Sequence, residues 1–173
     1  MGSTEPSRTG TDAEEFAFFV ALYPRLRRFA AVVADADMDP DDVVQDALTS
    51  ALVLRPLSEL DHPAAYLRRA IVRCVANRRR RARTWRRLLP QLAAGHVSED
   101  HYPSDLAVLD HLSPLDRAVV FLLDVEGLTG PELATQLGVS PAAVRKRASR
   151  ARAQLRSLLD ETTSAAEPLP EEA

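Results

Sequence analysis

The sequence predicts an all-α protein of two small helical domains joined by a flexible linker, and three observations carry that prediction. Apolar residues recur at three- and four-residue spacing in most of the chain, and no run alternates as a half-buried strand would. Glycine is scarce, with 6 residues in 173, and aromatics make up only 5%. The stretch from Leu112 to Leu159 also divides into three helical segments, each opened by a capping residue and separated from the next by a turn.

The expected organisation has five parts. Residues 1–12 are polar and read as a disordered N-terminus, and 13–87 form the first helical domain. Residues 88–106 mix proline, glycine and polar residues and read as a linker. Residues 107–159 form the second domain, and 160–173 an acidic, proline-containing, disordered tail. In the first domain Phe16, Phe19, Val20 and Tyr23 mark an opening helix, continued by Leu26, Phe29, Ala30 and Val33. Pro24 is expected to kink that helix or start a new one. Asp39-Pro40 caps a second helix carrying Val43, Val44, Ala47, Leu48 and Ala51, with Asp41 and Asp42 in the first turn, where the helix dipole favours negative charge. His62-Pro63 opens a long helix with Leu67, Ala70, Ile71, Cys74 and Val75 inward, and Cys74 reads as a small core residue.

In the second domain Ser113-Pro114 starts a helix that Gly127 closes in the left-handed conformation. Thr129 and Glu132 form a capping box for the next helix, which Gly138 ends. Ser140-Pro141 then caps a third helix with Val144, Ala148, Ala151, Leu155 and Leu158 on one face. A capped helix, a short glycine turn and a second helix make a helix-turn-helix. Arg145, Lys146, Ser149, Arg150 and Arg152 fall away from the apolar stripe, with Arg147 nearer its flank. A helix so built seats its stripe on the domain and offers its N-terminal half to a major groove.

The net charge of −3 conceals segregation. Ten arginines and no acid lie between Arg68 and Arg87, and six more cations without an acid between Arg145 and Arg156. Two basic patches in a near-neutral chain suit two contacts on one polyanion, with the acidic surfaces left for protein partners. A single cysteine excludes an internal disulfide framework and suits a reducing cytoplasm. The N-terminus lacks the basic and apolar regions of a secretory signal, and no apolar run approaches a membrane span. His62, His96, His101 and His111 are dispersed, without metal-ligand spacing, and there is no phosphate-cradling glycine loop. The expectation is therefore a protein that is not an enzyme and carries no cofactor or metal. Trp85, near the end of the long helix, reads as an anchor packed on the domain surface ahead of a base-stacking residue.

Taken together the two blocks resemble the extracytoplasmic-function sigma factors of the sigma-70 family. The resemblance spans nearly all of residues 16–158. It rests on ALYPRLRRFA, DDVVQDAL and HPAAYLRRAI with its arginine run, then LSPLDRAVV, EGLTGPELATQLGVS and AAVRKRASRARAQLR. It implies a region 2-like bundle and a region 4-like helix-turn-helix in a sigma factor that directs promoter-specific transcription initiation. Asp42, Gln45 and Asp46 match the surface that docks on the β′ clamp helices of core RNA polymerase. Arg69, Arg73, Asn77, Arg80 and Arg81 match the element that binds the minus-ten promoter segment. The loop from Leu54 to His62 matches the one that receives a flipped base. The helix from Ser140, with Ala142 and Ala143 at its opening, matches the reader of the minus-thirty-five element: Arg145, Lys146, Ser149 and Arg150 nearest the bases, Ser140 and Arg147 on phosphates.

The implied partners are core RNA polymerase, through β′ clamp helices and β flap, promoter DNA, and an anti-sigma factor that clamps both domains, for a cytoplasmic protein that is monomeric when free. The chain departs from the family pattern at Leu48 and Leu52, where aromatics are usual, at Val72-Arg73, at Asn77, at Ala142-Ala143 and at Ala148. Two other readings remain: a sigma-like decoy that sequesters an anti-sigma factor, and a stand-alone dimeric helix-turn-helix regulator. The decoy has no need of the arginine run, and the dimeric regulator leaves the first block unexplained.

Overall fold

The computed structural model describes residues 8–53, 59–88 and 104–165. All regular structure among them is helical. α1 spans Arg8–Val33, α2 Pro40–Leu52 and α3 Pro63–Leu88. A 3₁₀ stretch, Ser104–His111, leads into α4, Pro114–Val120, which continues as a π turn over Phe121–Val125. α5 covers Gly130–Leu137 and α6 Pro141–Ala165.

Several boundaries differ from the sequence expectation. α1 already begins at Arg8, so residues 8–12 are helical, while 1–7 lie outside the described residues. It also runs unbroken through Pro24, which is exposed. α6 continues to Ala165, six residues into the stretch expected to be a disordered tail; 166–173 lie outside the description. Of the expected linker, 89–103 lies outside as well, and its last residues, from Ser104, belong to the 3₁₀ stretch.

The cap residues do what their chemistry dictates. The Asp39 carboxylate accepts the Asp41 N–H at 2.7 Å, and the Ser113 hydroxyl accepts the Asp116 N–H at 3.2 Å. Ser140 accepts from the Ala143 N–H at 3.1 Å. Gly127 and Gly138 adopt φ of 71° and 67°, the conformation a helix-ending glycine supplies without a Cβ clash. Thr129 and Glu132 form a complete capping box, with the Thr129 N–H donating to the Glu132 carboxylate at 2.8 Å.

Hydrogen bonds from Thr129 hold the Glu132 carboxyl below its ordinary value of 4.5. A depressed carboxylate pKa adds stability above the unfolded value and loses it as the pH falls through the folded one. Glu132→Gln is therefore expected to lower the melting temperature at pH 7, with the gap to wild type narrowing at a low pH, as the pH falls below 4.5 and through the depressed folded value. Equal gaps at both pH values, measured by thermal denaturation, would exclude a charge contribution from the box.

In the first block, α1, α2 and α3 bury Leu26, Phe29, Ala30 and Val33 against Val43, Val44 and Ala47 and against Leu67, Ile71 and Val75. Phe19, Tyr23, Leu48 and Cys74 pack at the edge of this core, whereas Phe16 and Val20 point outward and are 69% and 51% exposed. Burial pushes the Cys74 thiol above its ordinary value. In the second block α4, α5 and α6 bury Val119, Leu122, Leu133, Leu137, Val144 and Ala148. The apolar stripe of α6 sits as its spacing requires: Val144, Ala148 and Ala151 buried, Leu155 and Leu158 half-buried.

The two blocks share one continuous core. Phe29 of α1 and Phe121 at the end of α4 lie with ring centroids 6.1 Å apart. α1 and α3 both pack against α4, and α3 also packs against α5. A buried guanidinium, Arg117, joins them. It is 1% exposed and reaches five acceptors. Its Nε donates to the Leu109 carbonyl at 2.7 Å, Nη1 to the carbonyls of Val33 and Ala34, and Nη2 to Asp35 at 2.8 Å, while Asp110 lies 3.1 Å from Nη2 as an ion pair. Burial lowers the Arg117 pKa from its ordinary value, and Asp35 and Asp110 oppose that shift. Arg79 of α3 completes the junction, bridging Asp35 at 2.9 Å and the Leu112 carbonyl at 2.9 Å.

Candidate nucleic-acid interface

The interface is built on α6. Because Val144, Ala148 and Ala151 are held in the core, the residues between them must face outward, and Arg145, Lys146, Ser149 and Arg150 are all exposed. Ala142 is exposed and Ala143 half-buried at the N-terminal end, next to the Ser140 cap. The two cations nearest the helix N-terminus, Arg145 and Lys146, are free of ion pairs among the described residues.

Two acids sort three of the remaining cations. Asp116, itself only 8% exposed, accepts from Arg147 at 2.8 Å and lies 3.7 Å from Arg150. The Ser113 hydroxyl donates to its second oxygen at 2.6 Å. Asp124 takes Arg152 in a two-pronged pair, which raises the Arg152 pKa. Arg147 is thus tied back to α4, whereas Arg150, more than half exposed, keeps most of its surface on the open side. The bonds from Arg147 and Arg152 also fix α6 against α4, which sets the angle at which the open face is presented.

A second basic face lies on α3. Arg73, Asn77, Arg80 and Arg81 are exposed along one side of the helix. Arg69 shares that side but is turned toward the second block: its guanidinium lies 3.5 Å from the Thr135 carbonyl and 6.0 Å from the Tyr66 ring. Its neighbour Arg68 is buried between the blocks, donating to Gln136 and 3.5 Å from Glu126, with Phe29 beneath it. Burial lowers the Arg68 pKa, against the pull of Glu126.

On α2, Asp42, Gln45 and Asp46 are all exposed, with Asp46 paired to Arg78 of α3. The loop read as a base receiver falls largely outside the described residues; only Val53 and residues 59–62 flank the gap, with Val53 80% exposed. Trp85 is not packed on the surface as expected: it is 63% exposed near the C-terminal end of α3.

Sequence reasoning missed the junction residues Arg68, Arg79, Arg117 and Asp35, and Asp116, which ties α6 to α4 within the second block. Arg68 and Arg79 were counted within a basic face, although their helical positions turn both toward the second block. Arg117 did leave a signal, a lone cation inside the apolar run of LDRAVVFLL with acids on either side. No group of three or more potential metal ligands occurs among the described residues, and no described helix is long and apolar enough to cross a membrane.

Residues 106–155, which hold the whole helix-turn-helix, match the family described as Sigma-70, region 4. The ECF RNA polymerase sigma factor SigE of Mycolicibacterium smegmatis is 37% identical over 97 residues, covering 50% of this chain but only 38% of SigE. The ECF RNA polymerase sigma factor SigM of Mycobacterium tuberculosis is 31% identical over 167 residues, covering 84% of this chain and 79% of SigM. Among solved structures, CnrH in complex with the cytosolic domain of CnrY superposes with a TM-score of 0.58 at 29% identity, covering 88% of this chain and 92% of that one. At 84% of this chain, the similarity to SigM runs through both blocks. The chain belongs to the extracytoplasmic-function sigma factors.

Proposed function

We propose that this chain is a dissociable initiation factor. It joins core RNA polymerase through the Asp42, Gln45 and Asp46 face of α2. It reads the minus-thirty-five element as duplex through Arg145, Lys146, Ser149 and Arg150. It tracks the minus-ten element with Arg73, Asn77, Arg80 and Arg81 of α3, joined by Arg69 once that side chain leaves the second block. The observation that carries this reading is the division of labour on α6: a buried stripe on one side, and on the other an open N-terminal half whose first two cations pair with no acid among the described residues. In this reading Ser140 and Arg147 contact phosphates rather than bases; Ser140 caps the helix and Arg147 is paired with Asp116, which sets both back from the base-reading face. An anti-sigma factor is the natural inhibitor, consistent with CnrH having been solved with a bound partner. The chemistry is that of a cytoplasmic DNA-binding protein rather than an enzyme.

In-vitro transcription with purified core polymerase and genomic promoter fragments tests the proposal. Wild type is expected to bind core and start transcripts at discrete sites. Arg150→Ala is expected to weaken minus-thirty-five binding by about 1–3 kcal/mol, the value of a base-edge arginine, while core binding stays intact. Wild-type protein that binds no core and starts no transcript overturns the reading in favour of the decoy. Loss of core binding in Arg150→Ala shows that the surface has been misassigned.

A further inference from the structure

A groove of about 410 Å³ runs between α3 and the segment that leads into α4. Its first wall is a single face of α3, where Ala76, Arg79, Arg80 and Arg83 follow one another at helical spacing. Its second wall belongs to the other block and runs from His111 to Pro114. Arg79 ties the two walls together. Asp35 pairs with its Nε at 2.9 Å, and its Nη atoms donate to the carbonyls of Leu112 at 2.9 Å and Asp110 at 3.2 Å.

The charge of this groove is one-sided. Arg80, Arg83 and His111 are exposed, and neither arginine pairs with an acid among the described residues. No carboxylate side chain lines the groove. The acids of the junction are already committed: Asp35 to Arg79 and Arg117, Asp110 to Arg117, and Asp116 to Arg147 and the Ser113 hydroxyl. Two uncommitted guanidinium forks beside an imidazole suit phosphate, whose acceptor oxygens and near-double charge match planar N–H pairs. The rest of the lining is apolar, with Leu112 and Pro114 buried and Ala76 half-buried. A lone phosphate ion would leave most of the space empty, since the volume falls in the ordinary range for organic ligands, about 300–1,000 Å³. A molecule with phosphates at one end and a flat ring at the other matches both halves.

We propose that this groove binds a nucleoside diphosphate, its phosphates on Arg80, Arg83 and His111 and its base against Ala76, Leu112 and Pro114. The site stands apart from the promoter-reading assignment, and only its consequence rests on that reading. A ligand that touches both walls favours the state in which the blocks are together. It also covers Arg80, a cation of the minus-ten side, so the ligand-bound and promoter-bound states exclude each other.

Calorimetric titration of the full-length chain with ADP at about 0.15 M salt tests the site, and saturable one-to-one binding is expected. Arg83→Ala and His111→Ala, one on each wall, should each weaken it about 10- to 150-fold, the effect of losing a hydrogen bond to a charged group. Arg145→Ala removes an equal charge from α6, outside the groove, and should leave ADP binding unchanged. Pyrophosphate should bind more weakly than ADP. No ADP binding, or an equal loss in Arg145→Ala, overturns the site. Pyrophosphate binding as tight as that of ADP overturns the nucleotide assignment, and a loss in Arg83→Ala without one in His111→Ala overturns the bridging of the blocks. In a gel shift of promoter DNA with core polymerase and this chain, ADP should reduce the complex for wild type but not for Arg83→Ala. ADP that binds without changing the shift overturns the mutual exclusion. A chain that forms no promoter complex even without ADP fails the promoter reading instead, and the titration alone then decides the site.

Discussion

Arg117→Met is expected to destabilise the chain by about 3–5 kcal/mol, the cost of removing one partner from a buried ion pair. For a protein of this size that is a fall in melting temperature of roughly 6–20 °C. Methionine fills much of the same volume, so the loss comes from the acceptors left behind. The Val33, Ala34 and Leu109 carbonyls lose their donor, and Asp110 loses its close cation, while Asp35 keeps Arg79 at 2.9 Å. Arg117→Lys should recover only a minor share, because a single ammonium cannot span five acceptors that a planar fork reaches in three directions. Calorimetry decides this: a loss below about 1 kcal/mol would mean that water replaces the guanidinium at no great cost, and that the junction is wetter than its burial implies.

Most helix starts and stops were legible in the sequence because they are local. Ser113, Thr129, Ser140 and Asp39 each satisfy an amide within three residues, and Gly127 and Gly138 each require only their own backbone. The periodic stripe of α6 was legible for the same reason, and with it the open face carrying Arg145, Lys146, Ser149 and Arg150. What the sequence concealed is long-range. Arg117 pairs with Asp35 across 82 positions, and Arg68 with Gln136 across 68. A count of arginines between 68 and 87 places all of them on one basic patch. The fold instead gives Arg68 and Arg79 to the second block and leaves Arg73, Arg80 and Arg81 outside. Pro24 starts no new helix: it removes one donor from α1, and the packing of Leu26 and Phe29 on the other helices keeps the helix continuous through it.

The second large effect concerns the junction during promoter binding. If the two basic faces engage elements 25 base pairs apart, the contacts lie about 85 Å from each other along B-form DNA at 3.4 Å per pair. A compact chain of 173 residues has a radius of gyration of about 16 Å, which corresponds to a body some 40 Å across. The closed arrangement therefore cannot reach both. The stretch from 89 to 103 can extend to at most about 50 Å, enough to let the blocks part while remaining one chain. Parting them breaks the Arg117–Asp35 and Arg68–Glu126 pairs and separates Phe29 from Phe121. It also releases Arg69 from Thr135, returning a cation to the DNA-tracking side of α3. Dyes on cysteines placed at Arg28 and Ser157, both exposed, in a Cys74→Ser background read the separation by energy transfer. The free chain should show a distance below about 40 Å, and the complex with core polymerase and promoter a distance above about 60 Å. Arg117→Met should shift the free chain toward the longer distance, since opening then breaks fewer bonds. Unchanged transfer in a complex whose footprint covers both elements would mean that the DNA bends to meet a closed protein, and that the junction is permanent.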